Sequence, residues 1–192
     1  MDLSPTDALI IVDMQNDYCS DGSVPVAGAA ALVKTLSDLS RRVMSRGGRV
    51  LATQDWHTDK HLSFSENGGT WPQHCVQGTK GAELHSELNL PVGSLVIRKG
   101  ADRRIEARSA FTESKLLETL QRFSVERVYI CGVPTELTVL ETALEANSLG
   151  FTTFAVEDGI AALTQDAAEV AGAIEKMKDA GIELISRDEL AG

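Results

Sequence analysis

A chain of 192 residues with 43% hydrophobic and 24% charged residues fits one domain, and residues 1–192 are expected to bury roughly 70% of the surface that the unfolded chain exposes. The formal net charge of −10, with no basic stripe, excludes nucleic acid as a partner, because phosphates would be repelled. The odd and irregularly spaced Cys19, Cys75 and Cys131, together with the lack of a run suited to a signal peptide or membrane span, point to a reducing, cytoplasmic setting with no membrane partner.

In chain order, short runs rich in Val and Ile alternate with stretches of helical period. The runs are ALIIVD (8–13), RVLATQD (49–55), SLVIRK (94–99), RVYICG (127–132), FTTFAVED (151–158) and IELIS (182–186). Continuous apolar strands imply burial on both faces. Helices are expected at 29–46, 112–123, 135–149 and 164–180, with Thr112 and Thr164 as starting caps and Gly150 and Gly181 as stops. The pattern predicts a three-layer α/β fold: a six-stranded parallel sheet with helices on both faces. The segment 56–93 is polar, glycine-bearing and aperiodic, and a loop of that length is usually functional.

Ligands of open parallel sheets bind beyond the carboxyl ends of the strands. The residues found there are Asp13, Asp55, Lys99 and the turn Gly132-Val133-Pro134. Two carboxylates and an ammonium would converge on one crevice. The aperiodic loop rising from the second strand carries His57, His61 and His74, three of the four histidines, and imidazole is the side chain most used for a metal or a proton. Each strand-end group alone could be an ordinary polar terminus; together they look like a site.

The stretches IIVDMQNDY, QDWHTDKHLSF, GGTWPQHCVQGTKGAELH, VIRKG and CGVPTELTVLETALEANSLGF resemble, in order, the motifs of the nicotinamidase and pyrazinamidase group of isochorismatase-like cysteine hydrolases. The resemblance spans nearly the whole chain. It implies hydrolysis of nicotinamide to nicotinate and ammonia, with a nicotinamide-like small molecule as substrate. It also implies a divalent transition metal, zinc first and iron or manganese as alternatives, held by Asp55, His57 and His74, with His61 a further candidate. The chemistry agrees, because Asp55 and His57 sit two apart and point the same way from an extended strand end, and a mixed nitrogen and oxygen set suits these ions. His85 lies outside the ligand pattern. By the same resemblance Asp13 is the general base and Lys99 its charged partner, while Asp17 reads as structural.

The turn after the fourth strand departs from the family. Where a cysteine nucleophile is expected, at the start of the following helix, the chain has Thr138. A hydroxyl is far harder to activate than a thiol, and a helical threonine can turn its hydroxyl back to a carbonyl of the preceding turn. Pro134 accommodates the cis peptide the resemblance implies at Val133-Pro134, but it lacks the N–H that an alanine there would give to an oxyanion. Leu137 replaces an aromatic residue of the ring-binding wall, leaving Tyr18 and Trp71 as aromatic surface. The substrate-binding set is therefore expected to be Tyr18, Trp71, Val133, Pro134 and Leu137. Two other readings remain: a hydrolase of the isochorismatase type that forms no covalent intermediate, and a pyridine-ligand-binding protein without turnover. The acidic surface and exposed helices permit a homo-oligomer.

Overall fold

The computed structural model describes residues 1–191. Strands β1 (Asp7–Val12), β2 (Arg49–Asp55), β3 (Leu95–Lys99), β4 (Arg127–Gly132), β5 (Thr152–Ile160) and β6 (Glu183–Ile185) form one sheet in the order β3-β2-β1-β4-β5-β6. Every pairing is parallel. The expected six-stranded architecture is present, with strand boundaries displaced by no more than a few residues.

Alternation along β1 explains the layers. Leu9 and Ile11 join a core with Val33, Leu36 and Val43 of α1 (Ala29–Ser45) on one face. On the other face Ala8, Ile10 and Val12 pack with Leu116 and Leu120 of α2 (Leu116–Arg122), Leu140 and Ala143 of α3 (Leu140–Ser148), and Ala173 and Met177 of α4 (Ala167–Asp179). Both faces are covered, so the central strands are apolar throughout.

Two helix starts differ from the sequence reading. α2 begins at Leu116 rather than near Thr112, because Ser114 closes a turn first: its hydroxyl donates to the Ala110 carbonyl at 2.6 Å and accepts the Leu116 N–H at 3.0 Å. α4 is capped by Asp166, which accepts the Ala168 N–H at 2.8 Å, while the Thr164 N–H goes to the Glu136 carboxylate at 2.6 Å. The expected helix from 135 opens as a π-helical turn, Thr135–Val139, before α3 proper. Such turns are frequent at functional sites. Gly150 and Gly181 end their helices with φ of +92° and +85°, as C-terminal stops do.

The strand order reverses between β1 and β4, which opens the crevice. Gly132 at the end of β4 has φ +111°, and a Cβ there would lie 2.1 Å from the Val12 carbonyl oxygen. Only glycine lets β4 close against β1 at this point. The segment from 56 to 94 contains one short 3-10 turn, Ser65–Asn67, and isolated bridges such as His57 with Val76, in keeping with its aperiodic sequence.

Candidate active site

Three neighbouring strands deliver three charges to one place. Asp13 directly follows β1, Asp55 closes β2 and Lys99 closes β3, with Asp55 and Lys99 opposite each other in the ladder. The Lys99 ammonium lies 2.9 Å from Asp13 Oδ2 and 2.5 Å from Asp55 Oδ1, and donates to the Ala107 carbonyl at 3.2 Å. Asp13 Oδ1 accepts the Thr53 hydroxyl at 2.6 Å. Its Oδ2, beyond the ion pair, has no hydrogen-bond partner among the described residues. Asp13 also has a φ of +48°, a left-handed conformation that Asp tolerates better than most residues.

The two carboxyls are driven apart. Burial dominates at Asp13, Lys99 opposing it and Asp55 adding to it, and raises the group to about 6. Burial also acts to raise Asp55, but Lys99, then His57, outweigh it and hold the group at about 2. For Lys99, burial favours the neutral amine, and Asp13 and Asp55 together outweigh it, so the pKa rises above the ordinary lysine value. One carboxylate thus stays ionised while its neighbour can exchange a proton near neutral pH, the separation of roles expected of an acid–base centre.

Above this pair, Asp55, His57 and His74 present ligand atoms that all lie within 4.8 Å of one another, and all three residues are buried. His57 Nδ1–H donates to the Gly100 carbonyl at 3.0 Å and His74 Nδ1–H to the Pro72 carbonyl at 2.8 Å. Each ring is thereby oriented so that Nε2 offers a lone pair. Burial is the main cause that lowers His57 to about 4, so it is neutral at pH 7. Two imidazoles oriented through their Nδ1–H groups and a permanent carboxylate fit a divalent transition metal. Gly100 is part of the construction, since a Cβ there would lie 2.7 Å from His57 Cε1.

His61 falls outside this group. Its Nδ1 faces the Ser63 hydroxyl at 2.8 Å and its Nε2 the Ile105 carbonyl at 3.0 Å, so both nitrogens are occupied. Its ring lies against that of His57, with centroids 4.0 Å apart and the planes tilted by 31°. His85 is remote, giving its N–H to the Met14 carbonyl at 2.8 Å. Asp17 ties down the loop, as its structural reading expected, accepting the Cys75 N–H at 2.6 Å and the Ser23 hydroxyl at 3.1 Å.

A pocket of about 570 Å³, counted out to its mouth, opens over the triad and is lined by Tyr18, Trp71, Pro134, Leu137 and Thr138 among others. Val133 differs from the sequence expectation: it is fully enclosed in the core, and its N–H is consumed by the Val12 carbonyl at 3.0 Å. Tyr18 also differs in part. It reaches the pocket, but it is 94% buried and donates its hydroxyl to Asp55 Oδ2 at 2.6 Å. The Val133-Pro134 peptide is cis, as expected. The anticipated back-bonding of Thr138 is not found, and among the described residues its hydroxyl has no hydrogen-bond partner. None of the cysteines takes its place on the pocket wall, and all three are free and buried. Burial raises the Cys131 thiol pKa, and burial followed by Asp55 and Asp13 raises that of Cys75.

Several contributors were missed in the sequence. Gln15 clamps the end of β2, accepting the Asp55 N–H at 2.8 Å while its amide donates to the Asp55 carbonyl at 2.8 Å and the Ala82 carbonyl at 2.9 Å. Glu106 and Arg108, after β3, and Leu163, after β5, line the pocket. Following the chain further past each strand end would have found them. Glu136 sets the position of Leu163, accepting the N–H groups of Leu163 at 3.3 Å and Thr164 at 2.6 Å.

Comparison with known proteins agrees with this geometry. Residues 7–189 match the Isochorismatase domain family. The nicotinamidase/pyrazinamidase of Mycobacterium tuberculosis is 36% identical over 186 residues, covering 93% of this chain and 97% of that protein. The pyrazinamidase of Pyrococcus horikoshii, solved in complex with zinc, superposes with a TM-score of 0.91 at 38% identity over 95% of this chain and 99% of that one. A protein of L. infantum solved in complex with nicotinate gives 0.90 at 36% identity, covering 98% and 96%.

Proposed function

The chain belongs to the Isochorismatase domain family, and we propose that within it this protein is a metal-dependent, nicotinamidase-like amidohydrolase that converts nicotinamide to nicotinate and ammonia. The observation that carries the proposal is the convergence, in one pocket, of Asp55, His57 and His74 with Thr138 on the wall. Relatives named for nicotinamidase activity and a neighbour solved with nicotinate support the substrate class. The neighbour solved with zinc supports the ion.

Asp55, His57 and His74 would hold the metal, zinc first and iron or manganese as alternatives, which in this role supplies a Lewis acid that anchors the pyridine nitrogen. The remaining roles belong to side chains. Trp71 and Leu137 form apolar pocket wall on which an aromatic ring can rest. Asp13, its carboxyl raised to about 6 and its Oδ2 free of hydrogen bonds among the described residues other than the ion pair, takes a proton from the attacking group and returns it to the departing ammonia. Lys99 keeps Asp55 ionised while Asp13 changes charge. Thr138 occupies the nucleophile position with an unengaged hydroxyl, and Pro134 offers no N–H to a developing oxyanion. Turnover is therefore low.

The three free cysteines suit a reducing, cytoplasmic setting, and no helix among the described residues is long and apolar enough to cross a membrane. A homo-oligomer is compatible with the acidic surface. The test is detection of nicotinate by mass spectrometry after incubating the zinc-loaded protein with nicotinamide. Tight nicotinamide binding with no nicotinate formed would replace this reading with a binding role, which the loss of a thiol and an oxyanion donor from one turn specifically favours.

A further inference from the structure

We propose that Tyr18 is a positioning residue of the metal centre: its hydroxyl fixes the rotation of the Asp55 carboxylate so that this ligand faces His57 and His74. The inference rests on the reading of those three residues as metal ligands. It gives Tyr18 a task other than forming the aromatic wall of the pocket.

Asp55 carries two acceptor oxygens, and the structure ties each to a different element. Oδ1 takes the Lys99 ammonium at 2.5 Å. That ammonium is shared with Asp13 at 2.9 Å. A carboxylate held at one oxygen can still rotate about its Cβ–Cγ bond, and this anchor is divided between two acids. The Tyr18 O–H, 2.6 Å from Oδ2, supplies the second point. An O–H to carboxylate bond of that length is of the strong, charge-assisted kind.

Tyr18 is itself firmly placed. It ends the 3-10 turn Asn16–Tyr18 after β1 and is 6% exposed. Its N–H donates to the Gln15 carbonyl at 3.1 Å and its carbonyl accepts the Val26 N–H at 3.0 Å. The ring also lies 5.8 Å from that of His74 at an interplanar angle of 55°. One side chain thus neighbours two of the three ligands, bonding Asp55 through its hydroxyl and lying beside His74 with its ring tilted. Each Asp55 oxygen retains a second lone pair for an ion.

The test is Tyr18→Phe, which removes one oxygen and keeps the ring. Zinc affinity, measured by competition with a chromophoric chelator, should fall about 10- to 100-fold, the usual cost of losing a group that orients a ligand. The visible absorption of the cobalt-substituted protein should shift with the altered carboxylate, a signature that a purely structural role would not move. Zinc affinity and cobalt spectrum both equal to wild type would overturn the role of Tyr18 and leave the metal site standing. Wild type that binds no zinc at all would overturn the metal site itself, and Tyr18's role with it. Should Tyr18→Phe not fold, the wild type decides. The other tyrosine, Tyr129, has a hydroxyl without a hydrogen-bond partner among the described residues, so a strong-donor tyrosine signal in ultraviolet resonance Raman belongs to Tyr18. Zinc should shift that signal, and an unchanged spectrum at saturating zinc would refute the proposal.

Discussion

On the proposed reading of Thr138 as the residue at the nucleophile position, replacing it by cysteine should raise turnover, and the size of the gain can be worked from Asp13. That carboxyl stands at about 6. Removing the proton of an ordinary thiol of pKa about 8.5 then lies about 2.5 units uphill, or about 3.4 kcal/mol at about 1.36 kcal/mol per unit. A hydroxyl resembling water, at about 15.7, lies about 7 units higher still. Carrying over to the oxygen anion the slope of about 0.4 to 0.5 per unit that thiolates show in disulfide exchange, its greater basicity recovers about three of those seven units. A net gain of about four orders of magnitude in turnover is expected for Thr138→Cys. Nicotinate formation should be followed by chromatography and mass spectrometry, with denaturing mass analysis to trap the nicotinoyl thioester that only the cysteine variant accumulates. Wild type already turning over at about 10 per second, the common enzymatic value, with no gain in Thr138→Cys, would refute the reasoning. It would mean that Thr138 is competent or that another group attacks.

Four further outcomes are expected. His57→Ala and His74→Ala should lose zinc by elemental analysis, while His61→Ala keeps it, because both His61 nitrogens are already engaged by Ser63 and Ile105. Gly100→Ala should weaken zinc binding at least tenfold, since its Cβ would sit 2.7 Å from the His57 ring; chelator competition reads this. Lys99→Met should cost about 3 to 5 kcal/mol in urea unfolding, because it strands two buried carboxylates. For the metal-free protein, Asp13 rises from 3.8 to about 6 on folding, so its contribution to stability is complete below about 3.8 and is lost as the pH climbs through 6. His57, lowered from 6.5 to about 4, acts oppositely, removing stability as the pH falls below 6.5. The difference between wild type and Asp13→Asn across pH 4 to 7, from urea midpoints, isolates the first effect and should decline with rising pH.

The strands were legible because a parallel sheet covered on both sides must be apolar along its whole length, as ALIIVD and RVYICG are. Asp13, Asp55 and Lys99 could be found by taking whatever residue ends each run. Helix starts were less legible, since Thr112 and Thr164 have the chemistry of caps, yet Ser114 and Asp166 are the residues that meet the first turns. The spacing from Asp55 marks His57 as a ligand in the sequence, but it leaves His61 open as a further candidate. The distinction comes from the Ile105 and Gly100 carbonyls, which approach from the chain after β3. The substitutions at 134, 137 and 138 were plain in the sequence, whereas the enclosure of Val133 depends on β4 closing against β1.

If Asp55, His57 and His74 hold the proposed metal, two clocks should run in the site, because these residues belong to different kinds of backbone. Asp55 ends β2, paired with Lys99 of β3 and clamped at its N–H and carbonyl by Gln15, on a strand whose central amides should exchange with solvent only when the whole sheet opens. His74 sits on aperiodic chain fastened by separate bonds, such as Cys75 N–H to Asp17 and Gln77 N–H to the His57 carbonyl at 2.6 and 2.8 Å. Detachment of that stretch exposes a bound ion without disturbing the strands. A chelator should therefore strip the protein at a rate faster than deuterium enters the centre of the sheet, and the stripped molecule should refill without refolding.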